Sequence, residues 1–195
     1  MGRNTNRDKI KNSMNDRQLV RSSLQGEVEE YQKIIDKYKG RVMALALNIL
    51  GNREDAEDAC QEAFIKVYYN LDRFDIQKSF RNWLYTIIYN QCLDQLRKRR
   101  RFYRFFNKIK EESLPSVGGR ASNQRTQHPF TKSLLKELSP KERAILFLWA
   151  VEGYTSEEIG SLLKCSSSTA RVHLFKARKK IKAILEKENV SMQDD

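Results

Sequence analysis

Apolar residues recur at three- and four-residue steps through most of the chain, a period that predicts helices, and few stretches alternate as strands do. The strongest pattern lies at 79–106. There Phe80, Trp83, Leu84, Ile87, Ile88, Leu93 and Leu96 share one face, with no Pro or Gly between them. Upstream, Val28, Tyr31, Ile34, Ile35 and Tyr38 run across Lys39-Gly40-Arg41 into Val42, Leu45, Ala46 and Ile49. Gly51-Asn52 is a stop signal, and a helix over 54–69 follows, burying Ala56, Ala59, Cys60, Ala63, Phe64 and Val67. A short loop at 71–78 joins it to the long helix. Residues 1–25 are polar and weakly patterned, and predict a mobile arm or a short frayed helix.

Beyond Phe106 the pattern lapses. Residues 107–128 hold Pro115, Gly118 and Gly119 among Ser, Asn and Gln, the composition of a flexible linker. Apolar periodicity resumes at 129–187. Leu134, Leu135 and Leu138 make a short helix, and Ser139-Pro140 starts a second one through Ala144, Ile145, Leu148, Trp149 and Val151. Thr155-Ser-Glu-Glu158 reads as a capping box for a third, over 156–163. The tight turn Lys164-Cys165-Ser166 leads into the last helix, with Ser166 or Ser167 as its N-cap and Val172, Phe175, Ile181, Ile184 and Leu185 as its apolar residues. The expected fold is all-α: a polar extension (1–25), a helical domain (26–106), a linker (107–128), a second small helical domain (129–187) and a short tail (188–195).

Charge sharpens this picture. The 195 residues carry 37 Lys+Arg against 25 Asp+Glu, a formal net charge of +12 with a pI near 9.7. That balance marks nucleic-acid binders. The long helix concentrates it: Arg97, Lys98, Arg99, Arg100, Arg101 and Arg104 crowd its far end. A helix dipole is satisfied by one or two cations, so the surplus implies a polyanion. Asn90, Asp94 and Arg97 follow at helical spacing on the face the aliphatic residues leave free, with Tyr89 beside them. Aromatic platforms beside a cationic track suit single-stranded nucleic acid, although Tyr85 and Tyr89 could equally be core.

The helix at 54–69 is acidic by contrast. Glu54, Asp55 and Glu57 fit a helix N-terminus. Asp58, Gln61 and Glu62 extend the polar face past the first turn, which leaves two readings open: a solvated face, or a docking surface for a basic protein.

A short capped helix, a three-residue turn and a helix with a basic polar face form the helix-turn-helix pattern, although a basic amphipathic helix can also be an ordinary solvated one. In the first reading the last helix lies in the major groove. Ser167, Ser168, Thr169, Arg171 and His173 then face base edges, and Lys176, Arg178, Lys179 and Lys180 face phosphates. Nothing indicates an enzyme. The sequence has no nucleophile–base pairing, no glycine-rich phosphate loop and no metal cluster, and no cofactor is expected. Cys60, Cys92 and Cys165 are isolated, which fits reduced thiols of an intracellular protein. No apolar run reaches the length of a membrane span or a signal peptide, so a cytoplasmic location and no direct membrane insertion are expected.

The stretches DAEDACQEAFIKVY (55–68), FRNWLYTIIYNQCLDQLRKRRR (80–101), LSPKERAILFL (138–148) and YTSEEIGSLLKCSSSTARVHLFKARKKIK (154–182) together resemble an RNA polymerase sigma factor of the sigma-70 family. The likeness covers roughly 25–103 and 130–187 in the family's order. The short interval between them leaves no room for a central promoter-contacting domain, as in the compact extracytoplasmic-function group.

The resemblance implies a subunit that binds core RNA polymerase and directs promoter-specific initiation. Asp55, Asp58, Gln61 and Glu62 would dock on the clamp helices of the polymerase's largest subunit. Phe74 in the loop, with Trp83, Tyr89, Asn90, Asp94, Arg97, Arg100 and Arg101, would read and melt the −10 element, holding one non-template base outside the stack. The helix-turn-helix would read duplex DNA at the −35 element. The resemblance also implies an anti-sigma factor as partner. Residues 1–25 exceed the family pattern and receive no role. Ala170 and Val172 depart from it, so no −35 sequence preference transfers. The alternative is a stand-alone helix-turn-helix regulator, which would bind its promoter tightly without polymerase.

Overall fold

The computed structural model describes residues 5–112 and 137–191, with side chains placed over 15–105 and 137–186. Its elements are α1 (Thr5–Leu24), α2 (Val28–Leu50), α3 (Arg53–Tyr69), a 3-10 turn (Leu71–Arg73), α4 (Phe80–Glu112), α5 (Pro140–Ala150), α6 (Ser156–Leu162) and α7 (Ser167–Ser191). No strand occurs among the described residues, and none of their helices is long and apolar enough to cross a membrane.

The punctuation read from the sequence acts as expected. Gly51 closes α2 in the left-handed region, φ 69°, its N–H donating to Leu47 O at 2.8 Å. The next residue, Asn52, caps α3 by accepting the Asp55 N–H at 3.0 Å. Ser139 with Glu142 and Thr155 with Glu158 form capping boxes at the starts of α5 and α6. Ser166 Oγ accepts the Thr169 N–H at 3.0 Å where α7 begins.

α4 is the beam of the first body. Leu84, Tyr85, Ile88 and Cys92 are fully buried along it, between α2 and α3, which bring Ile34, Leu45, Ile49, Ala56, Ala63 and Val67 to the same core. Phe74, Phe80 and Trp83 close one end in an aromatic cluster, with ring centroids 4.9–5.8 Å apart. Cys60 packs in this core, where burial pushes its thiol up to about 12.

Three features differ from expectation. Residues 5–24, expected as an arm or a short frayed helix, form a helix of 20 residues. It lacks an apolar stripe, which is why periodicity missed it, and is anchored by Val20 and by a buried carboxylate. Asp16 accepts from Lys37 Nζ and from Tyr38 OH, each at 2.7 Å. Second, α4 runs on to Glu112, past the expected Phe106 boundary, and α7 continues to Ser191. The remainder of the expected linker, Leu134 and Leu135 of the short helix, and residues 192–195 lie outside the described residues. Third, the second body sits directly against the first: α5 packs on α2 and α6 on α4, with Ile145, Leu148 and Tyr154 joined to the core around Leu45, Ile49 and Tyr85.

The turn between α6 and α7 is tight enough to need a missing side chain. A Cβ on Gly160 would stand 2.7 Å from Cys165 O and 3.2 Å from Ser167 N, both backbone atoms that cannot yield. Gly160→Ala should therefore destabilise the helix-turn-helix by about 1–3 kcal/mol through overpacking. Gly40→Ala, mid-helix and with nothing within 4 Å, should stabilise by up to about 1 kcal/mol. Urea unfolding of the two variants checks both signs.

Candidate nucleic-acid interface and docking face

Three surfaces carry the residues singled out in the sequence. On α3, Glu54, Asp58, Gln61, Ile65, Tyr68 and Tyr69 are exposed and follow one another along a single helical stripe. Asp58 and Gln61 thus point outward as expected. Asp55 and Glu62 are half-buried and face the basic end of α4. Asp55 pairs with Arg99 of α4 at 3.4 Å, and Glu62 lies 3.9 Å from Lys98 and accepts from Gln91. Gln91 in turn accepts from Lys66, so these acids tie α3 to the basic end of α4. Such half-exposed pairs contribute at most about 1 kcal/mol each. Sequence reasoning overlooked Ile65, Tyr68 and Tyr69. Their signal was apolar character out of register with Ala56, Ala59, Ala63 and Val67. Tyr69 is 76% exposed, and Tyr68 packs edge-on to Tyr31 at 5.0 Å.

The second surface is the loop 71–79 with α4. Phe74 and Tyr89 are buried, Phe74 against Trp83 and Phe80, and burial raises the Tyr89 hydroxyl's pKa. As placed, both rings pack the core, and Phe74 also lines the cavity beside the loop. Asn90 and Arg97 are exposed and Asp94 half-buried, with Arg97 bonded to Asp94 at 2.6 Å. Beside the loop lies a cavity of about 450 Å³ lined by Arg73, Phe74, Asp75, Lys78, Ser79, Asn82, Trp83 and Thr86, and by Ser161 and Leu162 of α6. Of these only Phe74 and Trp83 were expected in a site. The others are charged and polar side chains of the loop and the first turns of α4, with Ser161 and Leu162 from the last turn of α6, where sequence offers no periodicity to flag them.

From Arg97 to Phe105 every residue is exposed, so the end of α4 projects clear of the body. Arg100, Arg101 and Arg104 make no ion pair among the described residues. Phe102, Tyr103 and Phe105 stand between them, more than half exposed, and Arg99 lies over the Tyr103 ring at 5.7 Å.

The third surface is α7. Ser168, Arg171, Val172, Phe175, Lys176 and Lys179 are exposed along one side, with Ser167 and Thr169 half-buried at its start. Arg171 pairs with Glu157 of α6. Phe175 is 70% exposed and Val172 51%, so two residues expected on the apolar side point outward instead. His173 turns inward, its Nδ1 buried, and burial with the nearby Lys141 lowers its pKa. It is not part of the outer face. Arg178 lies against the Trp149 ring at 5.3 Å. Glu142, buried at the head of α5, accepts from Lys180 at 2.9 Å. Burial alone would raise its carboxyl, but Lys180 and the Ser139 cap outweigh that and hold it below the ordinary value.

Two small helical bodies, the second a helix-turn-helix carrying an outward basic face, define a DNA-binding protein. Comparison with known proteins gives the family. Residues 34–102 match the model of Sigma-70 region 2, and 132–181 that of Sigma-70 region 4. SigW, an extracytoplasmic-function sigma factor of Bacillus subtilis, is 27% identical over 175 residues, 84% of this chain and 92% of its own. Two solved structures share the fold at a TM-score of 0.64. The sigma factor RpoE, in complex with the anti-sigma factor NepR from Bartonella quintana, is 22% identical over 81% of this chain and 98% of its own. CnrH, in complex with the cytosolic domain of CnrY, is 24% identical over 88% and 97%. The chain belongs to the sigma-70 family, in its extracytoplasmic-function group, and is a factor that directs RNA polymerase to promoters.

The unpaired cations at the end of α4 give a quantitative expectation. Each phosphate they neutralise on duplex DNA adds about −0.9 to the slope of log affinity against log salt. Arg100→Ala or Arg101→Ala should flatten that slope by about one unit each in holoenzyme–promoter titrations, with thermal stability unchanged.

Proposed function

We propose a division of labour among the three surfaces. The outward stripe of α3 docks on the polymerase, with Asp58 and Gln61 meeting basic groups and Ile65, Tyr68 and Tyr69 filling an apolar seat. Aromatic anchors with a polar rim are the composition of binding hot spots. The cavity beside Trp83 receives a base extruded from the −10 element. Arg97, Arg100 and Arg101 follow the backbone, and the exposed Phe102, Tyr103 and Phe105 offer stacking faces to unpaired bases, worth about 1–3 kcal/mol each. Ser168, Arg171, Val172 and Phe175 enter the −35 major groove, where an apolar ring suits a thymine methyl, while Lys176, Arg178 and Lys179 contact phosphates.

The mechanism is binding energy alone, without covalent chemistry. Extruding a base costs a few kcal/mol, offset by stacking and by charge contacts. One observation supports this reading above the regulator alternative: an exposed acidic and aromatic stripe on a strongly basic chain, placed on a different helix from either DNA face. A factor of this kind works where polymerase and genome are, in the cytoplasm. The solved relatives in complex with NepR and CnrY support an anti-sigma factor as a further partner.

Transcription in vitro with core polymerase tests the assignment. Asp58→Arg should reduce promoter-dependent transcription by tenfold or more, about 1.4 kcal/mol of docking energy, while leaving the helical circular dichroism spectrum intact. Phe175→Ala should weaken promoters carrying a −35 element by about 1–3 kcal/mol and leave docking on core polymerase unchanged. Tight, specific promoter binding without polymerase would favour the regulator.

A further inference from the structure

Helix α1, which the resemblance left without a role, reaches the loop beside the cavity from outside it. It packs on α2, on the Leu71–Arg73 turn and on α4. Val20 is fully buried, and Asp16, 4% exposed, accepts from Lys37 Nζ and Tyr38 OH at 2.7 Å each. A carboxylate so buried needs both partners, and they fix the rotation of α1 about its axis. One position on, Arg17 Nη2 donates to Gln77 O at 3.3 Å, across 60 residues of chain, and its Nε is turned out of solvent.

Within the loop the hydrogen bonds are local. Phe74 N–H donates to Leu71 O at 3.2 Å, Gln77 N–H to Asp75 Oδ1 at 3.0 Å and Lys78 N–H to Asp75 O at 2.9 Å. Such bonds set the shape of the turn, not its place on the body. The near limb is fixed by packing: Phe74 is buried against Phe80 and Trp83, with Ile76 against the same core. The far limb carries Lys78 and Ser79, exposed walls of the cavity, and Arg17 ties down the carbonyl immediately before them. A second path runs through the same anchor. The Tyr38 ring that Asp16 holds lies 5.8 Å from Phe80, which meets both Phe74 and Trp83.

We propose that Arg17 is a positioning residue for the −10 pocket, with Asp16 as its anchor, a role that rests on the assignment of the cavity to the −10 element. Arg17 does not line the cavity and acts through the loop. By holding Gln77 O it sets where Asp75, Lys78 and Ser79 stand relative to Asn82 and Trp83. A wall fixed before binding gives up less freedom when a base enters, and it discriminates better because it cannot shift to fit the wrong base. Loss of the bond costs −10 discrimination more than it costs folding, since one exposed hydrogen bond adds little to stability.

The test uses the full-length chain with core polymerase and two promoter libraries, one randomised at −10 with a constant −35 element and one the reverse. Arg17→Met keeps the aliphatic stem and removes the donors, and Arg17→Lys restores a single cationic donor. Amide hydrogen exchange of residues 74–79 is followed in the free chain. Arg17→Met should flatten base enrichment at one or more −10 positions by at least about threefold, the low end of what one hydrogen bond is worth. It should leave −35 enrichment and the thermal midpoint unchanged, and speed exchange of the loop amides while α2 and α4 stay protected. Arg17→Lys should recover most of the lost enrichment. Unchanged −10 enrichment in Arg17→Met, or equal flattening at both elements, overturns the proposal. Asn82→Ala, in a wall of the cavity on α4, tells the two failures apart. If it flattens −10 enrichment and Arg17→Met does not, the positioning role alone fails; if neither does, the cavity is not the −10 pocket.

Discussion

The packing of α2 and α3 onto the apolar stripe of α4 is the interaction on which everything else depends. Leu84, Tyr85, Ile88 and Cys92 are removed from water between them, and each fully buried large apolar side chain contributes about 1.5–3 kcal/mol. That packing fixes the azimuth of both helices. It turns Asp58, Gln61 and Tyr69 of α3 outward while Asn90, Arg97 and Arg100 project from another side of the body. The outward stripe of α3 and the cationic end of α4 are therefore held at a fixed offset by one core.

Electrostatics divides along the same line. The acids of α3 looked paradoxical in a chain of net charge +12, and the structure separates them by neighbour. Asp55 and Glu62 lie opposite Arg99 and Lys98, where they lower the self-repulsion at the root of the cationic tail. Glu54 and Asp58 stand on the outward side. Farther along α4, Arg100, Arg101 and Arg104 pair with no carboxylate among the described residues. The charge that remains open is the charge that reaches away from the body.

Sequence reasoning recovered what depends on local rules. The stop at Gly51-Asn52, the start at Ser139-Pro140, the capping box at Thr155–Glu158 and the long α4 stripe each follow from residues within one or two turns. What it missed depends on long-range contacts. α1 is held by Asp16 against Lys37 and Tyr38, a polar anchor that leaves no apolar period to detect. Phe74 and Tyr89 have the chemistry of exposed stacking residues, and only tertiary packing shows that both are buried. Val172 and Phe175 have the chemistry of core residues, yet the short α6 leaves that side of α7 uncovered. The family resemblance named residues on each surface but could not say which of those side chains face outward. The rotation of a helix against its neighbours decides that.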